Sequence, residues 1–571
     1  MSHFESARER VVVRETDSGM VEKLASELNI SSSIAAILVG RNYTTFESCK
    51  TFFRPQLSHF HDPFLFKHME VAVNRICSAI RNKEKIVVYG DYDVDGITST
   101  ALMIRVLQKL GAQCDYYLPN RLSDGYGISR DGIRKIADEG ATLIISVDCG
   151  ITSISETEYA GSLNVDMIIT DHHEPKEKLP SAVAILDPKI SGCSYPDKNL
   201  AGVGVALKLC QALGINTGLK EELWLPFLDL VALGTAADIV ALTGENRIIT
   251  KFGFDILAHS SNVGIKELVA QQNLTGKKIT TSQVVFQLAP CINAVGRLGD
   301  PGRGVELLLT NRQEIALQYA RELRDTNLER RALDSSVAQE AISWVYQNCS
   351  PESDYSLVLG DENWHLGVIG IVASKMVERF HRPSILFSVG SDGFARGSGR
   401  SIPALHLLSA LEKCSDILES FGGHAAAAGM KVRSDKLDQF RRRFNEVVKT
   451  VLKPDDLTPV ITADAEVELP QITPKFFRIL KQMEPFGPGN MRPVLMCRNL
   501  QHRYSPRKVG NNHLKMAVTG GGIVMDAIAF NFGERFDEVR NAESLSVAFS
   551  LEENEWNGSR SLQLKVKGMS V

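Results

Sequence analysis

Along much of the chain, short apolar runs alternate with longer stretches in which apolar residues recur every three or four positions. The short runs have the length and composition of buried strands, and the longer stretches have the period of amphipathic helices. The predicted strands are residues 86–90, 114–118, 142–148, 166–170 and 182–187, and helices are predicted at 98–110 and 129–139. Strand–helix alternation of this length predicts a parallel sheet with helices on both faces.

The other segments differ in pattern and predict further domains. Residues 311–348 have helical spacing, many charges and no proline or glycine, so one long helix is expected there. Later in the chain, short alternating strands separated by turn residues predict a small antiparallel barrel. The expected organisation is a helical N-terminal segment at 1–80, a first α/β domain at 81–310, a connecting helix at 311–348, a second, smaller α/β domain at 349–453 and a barrel at 454–571.

Composition narrows the class of protein. At 571 residues the chain is too long for one hydrophobic core, and 44% hydrophobic with 23% charged residues is typical of globular proteins. No run of 18 or more apolar residues is present, so no membrane span is expected. Ten scattered cysteines without a Cys-x-x-Cys pair disfavour a zinc knuckle or a disulfide framework, and we expect a reducing, cytoplasmic environment. The net charge of −4 neither indicates nor excludes nucleic-acid binding, because a local basic groove is sufficient.

Three carboxylates at alternate positions follow the first predicted strand: Asp91, Asp93 and Asp95. If the extended geometry continues, all three face the same side, where their mutual repulsion requires a cation. An EF-hand loop begins in the same way, but it needs a glutamate at the position that Leu102 occupies. An Asp-rich turn is the alternative without a metal. We predict that at least two of the three acids bind a divalent cation.

Two further predicted strands end in side chains suited to the same chemistry. Asp148 ends one strand, and Asp171, His172 and His173 follow the next. Open α/β sheets bind their ligands at the carboxyl ends of strands, and carboxylates with imidazole suit Mn²⁺, Mg²⁺ or Fe²⁺ better than a thiolate-rich zinc site does. Adjacent histidines on an extended segment point in opposite directions, so one can bind metal while the other faces substrate or an acid.

Asp238 lies in an otherwise apolar stretch, where a bare charge is costly. A helix cap or a hydrogen-bonded buried acid would account for it, and so would metal binding. We favour metal binding.

Several arginines and glycine-rich turns are candidates for binding phosphate groups. Arg121 and Arg297 lie among loop-forming residues, where neighbouring glycines let the backbone approach a ligand. A plain surface charge is the alternative for each. Glycine-rich turns form anion-binding nests. The candidates in the second α/β domain are Arg396, Ser398, Arg400, Gly422, Gly423 and His424.

Basic and aromatic residues are interleaved in the predicted barrel. Tyr504, Arg507 and Lys508 fit a groove for single-stranded nucleic acid, in which bases stack on aromatic rings. A barrel with its own aromatic core explains the pattern equally well.

Taken in order, these motifs resemble those of the DHH phosphoesterase superfamily. The runs that carry the resemblance are GDYDVDG at 90–96, VDCG at 147–150, DHH at 171–173 and GTAAD at 234–238, with RGSGRS at 396–401 and GGH at 422–424 similar to its second, DHHA1 domain. PNRLSDGYG at 119–127, HLGVIGIVAS at 365–374 and EPFGPGN at 484–490 are similar to its branch of exonucleases for single-stranded DNA. The resemblance covers the chain from about residue 30 to the end. It implies an α/β fold with a parallel-sheet DHH domain, a smaller DHHA1 domain joined by a long helix, and a C-terminal OB-fold barrel.

The resemblance also implies an activity and roles for individual residues. Members of that branch degrade single-stranded DNA from the 5′ end to mononucleotides in bacterial repair and recombination, with two divalent cations, Mn²⁺ or Mg²⁺. Their metal ligands correspond to Asp93, Asp95, Asp148, His172 and Asp238, with supporting or catalytic roles for Asp91 and His173. The arginines and second-domain residues named above correspond to phosphate-binding positions. A monomer is expected, and a helicase and a single-strand DNA-binding protein are the implied partners.

Two alternatives remain open from the sequence. Superfamily members that cleave short oligonucleotides or cyclic dinucleotides generally lack the OB domain, which is predicted here at 454–571. A non-catalytic replication scaffold of the same fold would have lost metal ligands, and every expected ligand is present. Cleavage of long strands, cleavage of dinucleotides, or binding without cleavage distinguishes the three.

Overall fold

The computed structural model describes residues 9–119, 127–556 and 559–571. The chain forms two compact units, each assembled from separated segments. The parallel-sheet unit consists of Glu47–Leu328 and Gln482–Arg492, and the mixed-sheet unit consists of Met1–Phe46, Glu329–Lys481 and Pro493–Val571. No helix within the described ranges is long and apolar enough to cross a membrane.

The α-helices are numbered in chain order. They are α1 Ser18–Leu28, α2 Ser32–Val39, α3 Phe46–Phe53, α4 Met69–Asn82, α5 Val94–Lys109, α6 Arg130–Asp138, α7 Ile154–Ser162, α8 Gly202–Thr217, α9 Leu228–Ala237, α10 Gly244–Ala258, α11 Val263–Gln271, α12 Thr281–Gln283, α13 Ala289–Leu298, α14 Gly302–Leu309, α15 Gln313–Asn348, α16 Leu366–Phe380, α17 Leu407–Glu412, α18 Leu437–Val451, α19 Pro474–Gln482 and α20 Phe536–Asn541. A π-helical turn, Val284–Leu288, joins α12 to α13.

The strands are numbered in the same way. They are β1 Arg10–Val13, β2 Lys85–Gly90, β3 Gln113–Tyr117, β4 Ala141–Val147, β5 Asp166–Thr170, β6 Ala184–Leu186, β7 Leu357–Asp361, β8 Ser384–Val389, β9 Phe394–Arg400, β10 Leu418–Gly423, β11 Ala427–Arg433, β12 Val460–Ala463, β13 Ala465–Glu466, β14 Leu495–Val509, β15 His513–Gly520, β16 Ile523–Ala529, β17 Leu545–Trp556 and β18 Ser559–Ser570.

The parallel-sheet unit is built on five parallel strands in the order β3-β2-β4-β5-β6. The inner strands are rich in isoleucine and valine and are almost wholly buried, because apolar clusters pack on both faces of the sheet. The register pairs Gly90 with Val147, Val147 with Thr170, and Thr170 with Leu186. Four strands therefore end at one level, and the residues that follow them lie at one edge of the sheet.

The mixed-sheet unit contains a five-stranded sheet in the order β10-β11-β9-β8-β7 and a closed barrel. Helix α16 packs on one face of the sheet, and α17 and α18 pack on the other. In the barrel, β14, β15, β16, β18 and β17 form a ring that the pairing of β14 with β17 closes. The predicted fold class is confirmed, including the long helix, which has 36 residues and spans about 54 Å.

The N-terminal segment contains the helices α1 to α4 and one short strand that the sequence pattern does not predict. Strand β1 pairs in parallel with β12, with Arg10 opposite Val460 and Val13 opposite Ala463. The run of three valines in β1 is short and precedes two helices, so the helical periodicity dominates the local pattern. A strand of this length needs a partner, and its partner lies far along the chain.

The segment Gln482–Arg492 packs on α10 through one buried arginine. Arg247 donates from Nε to the Phe52 carbonyl oxygen at 3.0 Å, and from Nη1 and Nη2 to the carbonyl oxygens of Met483 at 2.9 Å and Glu484 at 3.1 Å. Its guanidinium also lies 4.1 Å from the centre of the Phe52 ring. A guanidinium spreads its donors along a planar fork that reaches carbonyl oxygens on separate segments, whereas a lysine ammonium carries its three donors on one atom.

Arg247→Lys is expected to lower the unfolding temperature of the parallel-sheet unit by about 5–10 °C. Lysine keeps the charge but removes the Arg247 donors from the Phe52 and Glu484 carbonyl oxygens, a loss of about 2–4 kcal/mol, whereas the Met483 carbonyl keeps a hydrogen bond from the Asn490 side-chain amide. Differential scanning calorimetry measures the shift, with Arg312→Lys as the matched control because Arg312 is exposed. Equal unfolding temperatures for the two variants would contradict a role for Arg247 in holding the segment.

Candidate metal centre

Acidic residues directly follow four aligned strand ends of the parallel sheet. They are Asp91 after β2, Asp148 after β4, Asp171 after β5 and Asp187 after β6, and each is at most 3% exposed. Because these four strands end at the same level, carboxylates from distant parts of the chain lie together at one edge of the sheet. Asp187 is not among the predicted site residues, although it shares with the other three the signal of an acid directly after an apolar strand.

The acids of the first motif converge by a route different from the predicted one. Strand β2 ends at Gly90 and α5 begins at Val94, so the extended geometry does not continue through Asp95. Asp93 caps α5, and its Oδ1 accepts a hydrogen bond from the Gly96 amide at 3.0 Å. Asp95 lies in the first helical turn, where the helix dipole favours a carboxylate. A strand–turn–helix junction, rather than one face of a strand, gathers the three acids.

The predicted metal ligands and catalytic residues form one cluster. The cluster contains three overlapping groups of three residues. Within each group, the possible ligand atoms of the three side chains all lie within 4.8 Å of one another. The groups are Asp91, Asp93 and Asp148; Asp95, His172 and Asp238; and Asp148, His172 and His173. His172 Nε2 is 3.1 Å from Asp148 Oδ1, 3.7 Å from Asp238 Oδ2 and 4.0 Å from Asp95 Oδ2. The structure thus brings together seven side chains that the sequence places in four separate motifs.

Polar atoms inside the cluster lack hydrogen-bond partners. Among the described residues, Asp148 Oδ1, His172 Nε2 and Asp238 Oδ2 are buried and have none. A buried polar atom without a partner is costly, and these three converge on one point. Carboxylates with one or two imidazoles are a donor set that Mn²⁺ and Mg²⁺ accept. The residues present fit a divalent cation.

Burial changes the pKa values of the cluster strongly. It raises the pKa of Asp91 and of Asp95 to about 7 and that of Asp238 to about 9, and repulsion between the acids adds to each shift. The pKa of Asp148 is also raised well above its usual value, first by burial and then by neighbouring carboxylates. Burial lowers the pKa of His172 to about 4, so its imidazole is neutral at pH 7, which is the form that binds metal.

Asp171 orients the two histidines that follow it. Its Oδ1 accepts hydrogen bonds from the amides of His172 at 2.8 Å and His173 at 3.2 Å, and its Oδ2 accepts one from the Ile151 amide at 2.9 Å. Burial alone would raise the pKa of Asp171, but these bonds and the contact with His173 Nδ1 at 2.7 Å lower it. An ionised Asp171 makes Nδ1 the hydrogen-bond donor, which leaves Nε2 as the ring nitrogen that can gain or lose a proton. This orienting role of Asp171 is not predicted from the sequence, although its place in the DHH run is a signal.

Helix α8 begins at the cluster and holds Asp95. The amides of Gly202 and Val203 donate to Asp95 Oδ2 at 2.7 Å and Oδ1 at 2.9 Å, as amides at a helix N-terminus do for anions. This approach requires glycine at position 202, because a Cβ there would lie 2.4 Å from Asp148 Oδ1. The close packing of α8 fixes two carboxylates of the cluster at once.

Gly202→Ala is expected to weaken Mn²⁺ binding about 10- to 100-fold, because the new methyl group displaces Asp148. Isothermal titration calorimetry measures the affinity. Gly204→Ala is the matched control on the same helical turn, since a Cβ there meets only the flexible Leu200 side chain, at 3.2 Å. Similar Mn²⁺ affinities for the two variants would contradict the close approach at Gly202.

Asp238 ends α9 with its backbone amide, while its side chain belongs to the cluster. It is the C-cap residue of α9, and its Oδ2 lies 3.7 Å from His172 Nε2. The next residue, Ile239, has a φ of 65° and is 62% exposed. A β-branched residue in the left-handed region is strained, and glycine or asparagine would fit better. The turn beside Asp238 is therefore maintained at a cost in stability.

Arg297 lies in the last turn of α13, which packs against the turn between β2 and α5. Asn293 Oδ1 accepts a hydrogen bond from the first amide of α5 at 3.2 Å, and a Cβ at Gly296 would lie 2.9 Å from the Tyr92 carbonyl oxygen. Arg297 therefore belongs to a helix that contacts the turn carrying Asp91 and Asp93. Arg121 lies outside the described residues.

The phosphate-binding candidates of the second domain share one region of the mixed sheet. Arg396, Ser398 and Arg400 alternate with buried residues along β9. Gly422, Gly423 and His424 lie at the end of β10 and in the hairpin that follows it. Ser398 lies opposite Gly429 on β11, and Gly429 lies opposite Gly422. A Cβ at either glycine would meet open space, so the backbone of this row is accessible.

The barrel residues predicted to bind DNA are exposed. Tyr504 is 68% exposed and lies on β14 with Arg507 and Lys508, whose side chains also face solvent. Phe549 on β17 is fully buried, whereas Phe530 is 44% exposed. An aromatic core therefore does not account for Tyr504 or Phe530.

Three protein-family models match the chain. They are described as the DHH family, N-terminal domain, at residues 85–235, the DHHA1 domain at residues 345–450 and the RecJ OB domain at residues 463–568. Together they cover the parallel sheet, the mixed sheet and the barrel.

Curated relatives and solved structures are similar over most of the chain. The single-stranded-DNA-specific exonuclease RecJ of Bacillus subtilis is 39% identical over 569 residues, which are 99% of this chain and 71% of the relative. The protein of the same name from Escherichia coli is 38% identical over 520 residues, 87% of this chain and 89% of the relative. The crystal structure of Thermus thermophilus RecJ in complex with Mn²⁺ matches with a TM-score of 0.84 at 28% identity, over 99% of this chain and 79% of that one. The Mg²⁺ complex matches with a TM-score of 0.78 at 27% identity, over 98% and 78%.

Proposed function

The chain belongs to the RecJ family of single-stranded-DNA-specific exonucleases, and on that premise we propose that it hydrolyses the phosphodiester bonds of single-stranded DNA with divalent metal ions. The observation that carries this proposal is the convergence of buried carboxylates and imidazoles at the aligned strand ends. Buried carboxylate and imidazole atoms that lack hydrogen-bond partners can bind the metal ions that a metal-dependent hydrolase requires.

Two divalent cations, Mn²⁺ or Mg²⁺, fit the overlapping groups of the cluster. The proposed ligands are Asp93, Asp95, Asp148, His172 and Asp238. When bound, such cations supply Lewis acidity toward the phosphate and make a bound water more acidic. The protein positions the ligands through the α8 amides on Asp95 and the cap of α5 at Asp93.

Asp91 and His173 are the proposed catalytic side chains. The contact with Asp171 outweighs burial and raises the pKa of His173, so its Nε2 can donate or accept a proton near neutral pH. Burial raises the pKa of Asp91 to about 7 in the absence of metal. Bound cations would favour its ionised form, which can accept a proton. Arg297 and Arg121 would neutralise charge on the phosphate oxygens.

The second domain and the barrel are proposed to hold the DNA strand. The accessible row of Ser398, Gly429 and Gly422, flanked by arginines on β9, offers backbone and guanidinium contacts to phosphates. Exposed Tyr504, Arg507 and Lys508 offer stacking and charge to a single strand. Binding of this kind should weaken steeply as the salt concentration rises.

The finer features of the reaction are proposed from the resemblance to the family. They are degradation from the 5′ end, release of 5′-mononucleotides and a role in DNA repair and recombination in the bacterial cytoplasm. The chain is proposed to act as a monomer, with a helicase and a single-strand DNA-binding protein as partners.

The test is digestion of single-stranded DNA labelled at either end, with Mn²⁺ or Mg²⁺, beside a duplex of the same sequence and the Asp93→Ala variant. We expect metal-dependent release of mononucleotides from the 5′ end of the single strand, and none from the duplex or with the variant. Cleavage of dinucleotides or cyclic dinucleotides, with long strands left intact, would replace the exonuclease by a small-substrate phosphodiesterase. Binding of the strand without cleavage would indicate a scaffold.

A further inference from the structure

Two short segments of the parallel-sheet unit are joined directly to the metal cluster along the chain. The first, residues 197–201, leads into α8, whose first amides donate to Asp95. The second, residues 239–243, follows Asp238 and leads into α10. Neither segment contains a proposed metal ligand, but a displacement of either one would move a part of the chain that holds or supplies a ligand.

One side chain, Asn246, is hydrogen-bonded to both segments. Asn246 lies in the first turn of α10 and is fully buried. Its Nδ2 donates to the Asn199 carbonyl oxygen at 2.5 Å and to the Ala241 carbonyl oxygen at 3.0 Å. Asn199 lies three residues before Gly202, and Ala241 lies three residues after Asp238. A single carboxamide therefore uses both of its N–H groups to tie together the two segments beside the cluster.

The orientation of the Asn246 amide is fixed by the groups around it. Because both neighbours are carbonyl oxygens, Nδ2 must face them. The Oδ1 atom is then buried, and among the described residues it has no hydrogen-bond partner. A buried acceptor without a partner lowers stability, and such atoms are rare. The arrangement thus leaves one acceptor of Asn246 unsatisfied while its two donors hold the two segments.

The first segment is held at α10 by a second contact. Asp197 Oδ2 accepts a hydrogen bond from the Glu245 amide at 2.8 Å, and its Oδ1 accepts one from the Asn199 amide at 3.0 Å. The backbone of the next residue, Leu200, forms a hydrogen bond with the His172 side chain. A shift of Asn199 would therefore reach a proposed metal ligand through the adjacent residue.

The second segment contains the strained residue beside Asp238. Ile239 has a φ of 65°, and a backbone of this kind persists only where the surrounding contacts over-determine it. The hydrogen bond from Asn246 to the Ala241 carbonyl oxygen holds the chain two residues further on. Without that bond the turn at Ile239 can relax to a more favourable φ, and Asp238 moves with it.

We propose that Asn246 is a positioning residue of the metal centre, which fixes Asp238 relative to His172. It is not itself a ligand, and it acts through the two segments that its amide ties together. Residues behind the ligands of a metal site commonly set its affinity in this way, because they limit how far the ligands can move. Asn246 has this role only if the cluster binds cations as proposed above.

The test is calorimetric titration of the full chain with Mn²⁺, for the wild type, Asn246→Ala and Asn262→Ala. Asn246→Ala is expected to weaken Mn²⁺ binding about tenfold. Asn262→Ala is the matched control, because it removes a carboxamide of the same unit that caps α11 and donates to the Leu308 carbonyl oxygen at 2.8 Å. Both substitutions should lower the unfolding temperature in EDTA, but only Asn246→Ala should change the Mn²⁺ affinity.

The outcomes separate this role of Asn246 from the metal centre itself. Equal Mn²⁺ affinities for Asn246→Ala and the wild type overturn the role, and so does an equal loss of affinity in Asn262→Ala. A wild type that binds no Mn²⁺ overturns the metal centre as well. Asn246→Asp leaves no cavity and can be titrated if Asn246→Ala does not fold. Because a carboxyl group donates at most one hydrogen bond, Asn246→Asp should also weaken Mn²⁺ binding, and unchanged binding again overturns the role.

A double variant gives an independent readout. Ile239→Asn relieves the strain beside Asp238, because asparagine adopts the left-handed region readily. If Asn246 holds this turn, the addition of Ile239→Asn to Asn246→Ala should recover part of the lost Mn²⁺ affinity, so the effects of the two substitutions are not additive. Additive effects on the Mn²⁺ affinity would overturn the role of Asn246 in holding the turn.

Discussion

Asp148→Asn is expected to lower the rate of single-stranded DNA hydrolysis by about 10³-fold or more. Asp148 belongs to two of the three groups in the cluster, so the loss of its charge weakens both. The backbone should tolerate the change, because Asp148 has a φ of 60° and asparagine adopts the left-handed region readily. Steady-state digestion of an end-labelled strand at saturating Mn²⁺ measures the effect.

The stability of the same variant separates a chemical defect from a folding defect. Without metal, Asp148→Asn should be at least as stable as the wild type, because one of several mutually repelling buried carboxylates is removed. Asp115→Asn, at an exposed position on β3, should retain full activity. An active Asp148→Asn protein would contradict the proposed ligand role. An inactive one that is less stable in EDTA would point to misfolding instead.

In the absence of divalent metal, the free energy of unfolding of the protein is expected to fall as the pH rises from about 4 to about 9. Burial raises the pKa of Asp91 and Asp95 to about 7 and that of Asp238 to about 9, whereas these groups titrate near pH 4 in an unfolded chain. A group whose pKa is raised on folding stabilises the fold fully below its unfolded pKa. That contribution is lost as pH rises through the folded pKa. Each additional proton held by the folded state corresponds to about 1.4 kcal/mol per pH unit.

Urea unfolding at pH 5 and pH 8.5, with EDTA or with Mn²⁺, measures this dependence. Metal ligands must be deprotonated, so Mn²⁺ should stabilise the protein much more at pH 8.5 than at pH 5. Asp148→Asn in EDTA should show a shallower slope, since it removes one member of the cluster. An equal effect of EDTA at both pH values would contradict the buried cluster of acids.

The strand ends and their acids could be predicted because both are local patterns. An apolar run followed directly by an aspartate marks Asp91, Asp148 and Asp171 without reference to the rest of the chain. The start of α5 could not be predicted in the same way. Its first turn contains Asp95 and Gly96, which have low helix propensity, so the sequence pattern predicts a helix that begins only at residue 98. The Asp93 cap and the packing of α13 on this turn outweigh that propensity.

Partners that are distant in sequence could not be predicted from periodicity. The amides of α8 that donate to Asp95 belong to residues whose sequence pattern predicts only an apolar helix. Strand β1 depends on β12, and the strain at Ile239 appears only in the backbone angles. Local patterns do not show which of these side chains lie together. The resemblance to one superfamily, in which the motifs occur in the same order, predicts that they form one site.

The assignment of Gln482–Arg492 to the parallel-sheet unit has a genetic consequence. The chain changes unit four times, after residues 46, 328, 481 and 492. A gene fragment that stops before codon 482 would encode all five parallel strands but lack the segment that Arg247 holds. Recombination between genes therefore cannot transfer this unit as one continuous block, and the two units should be inherited together.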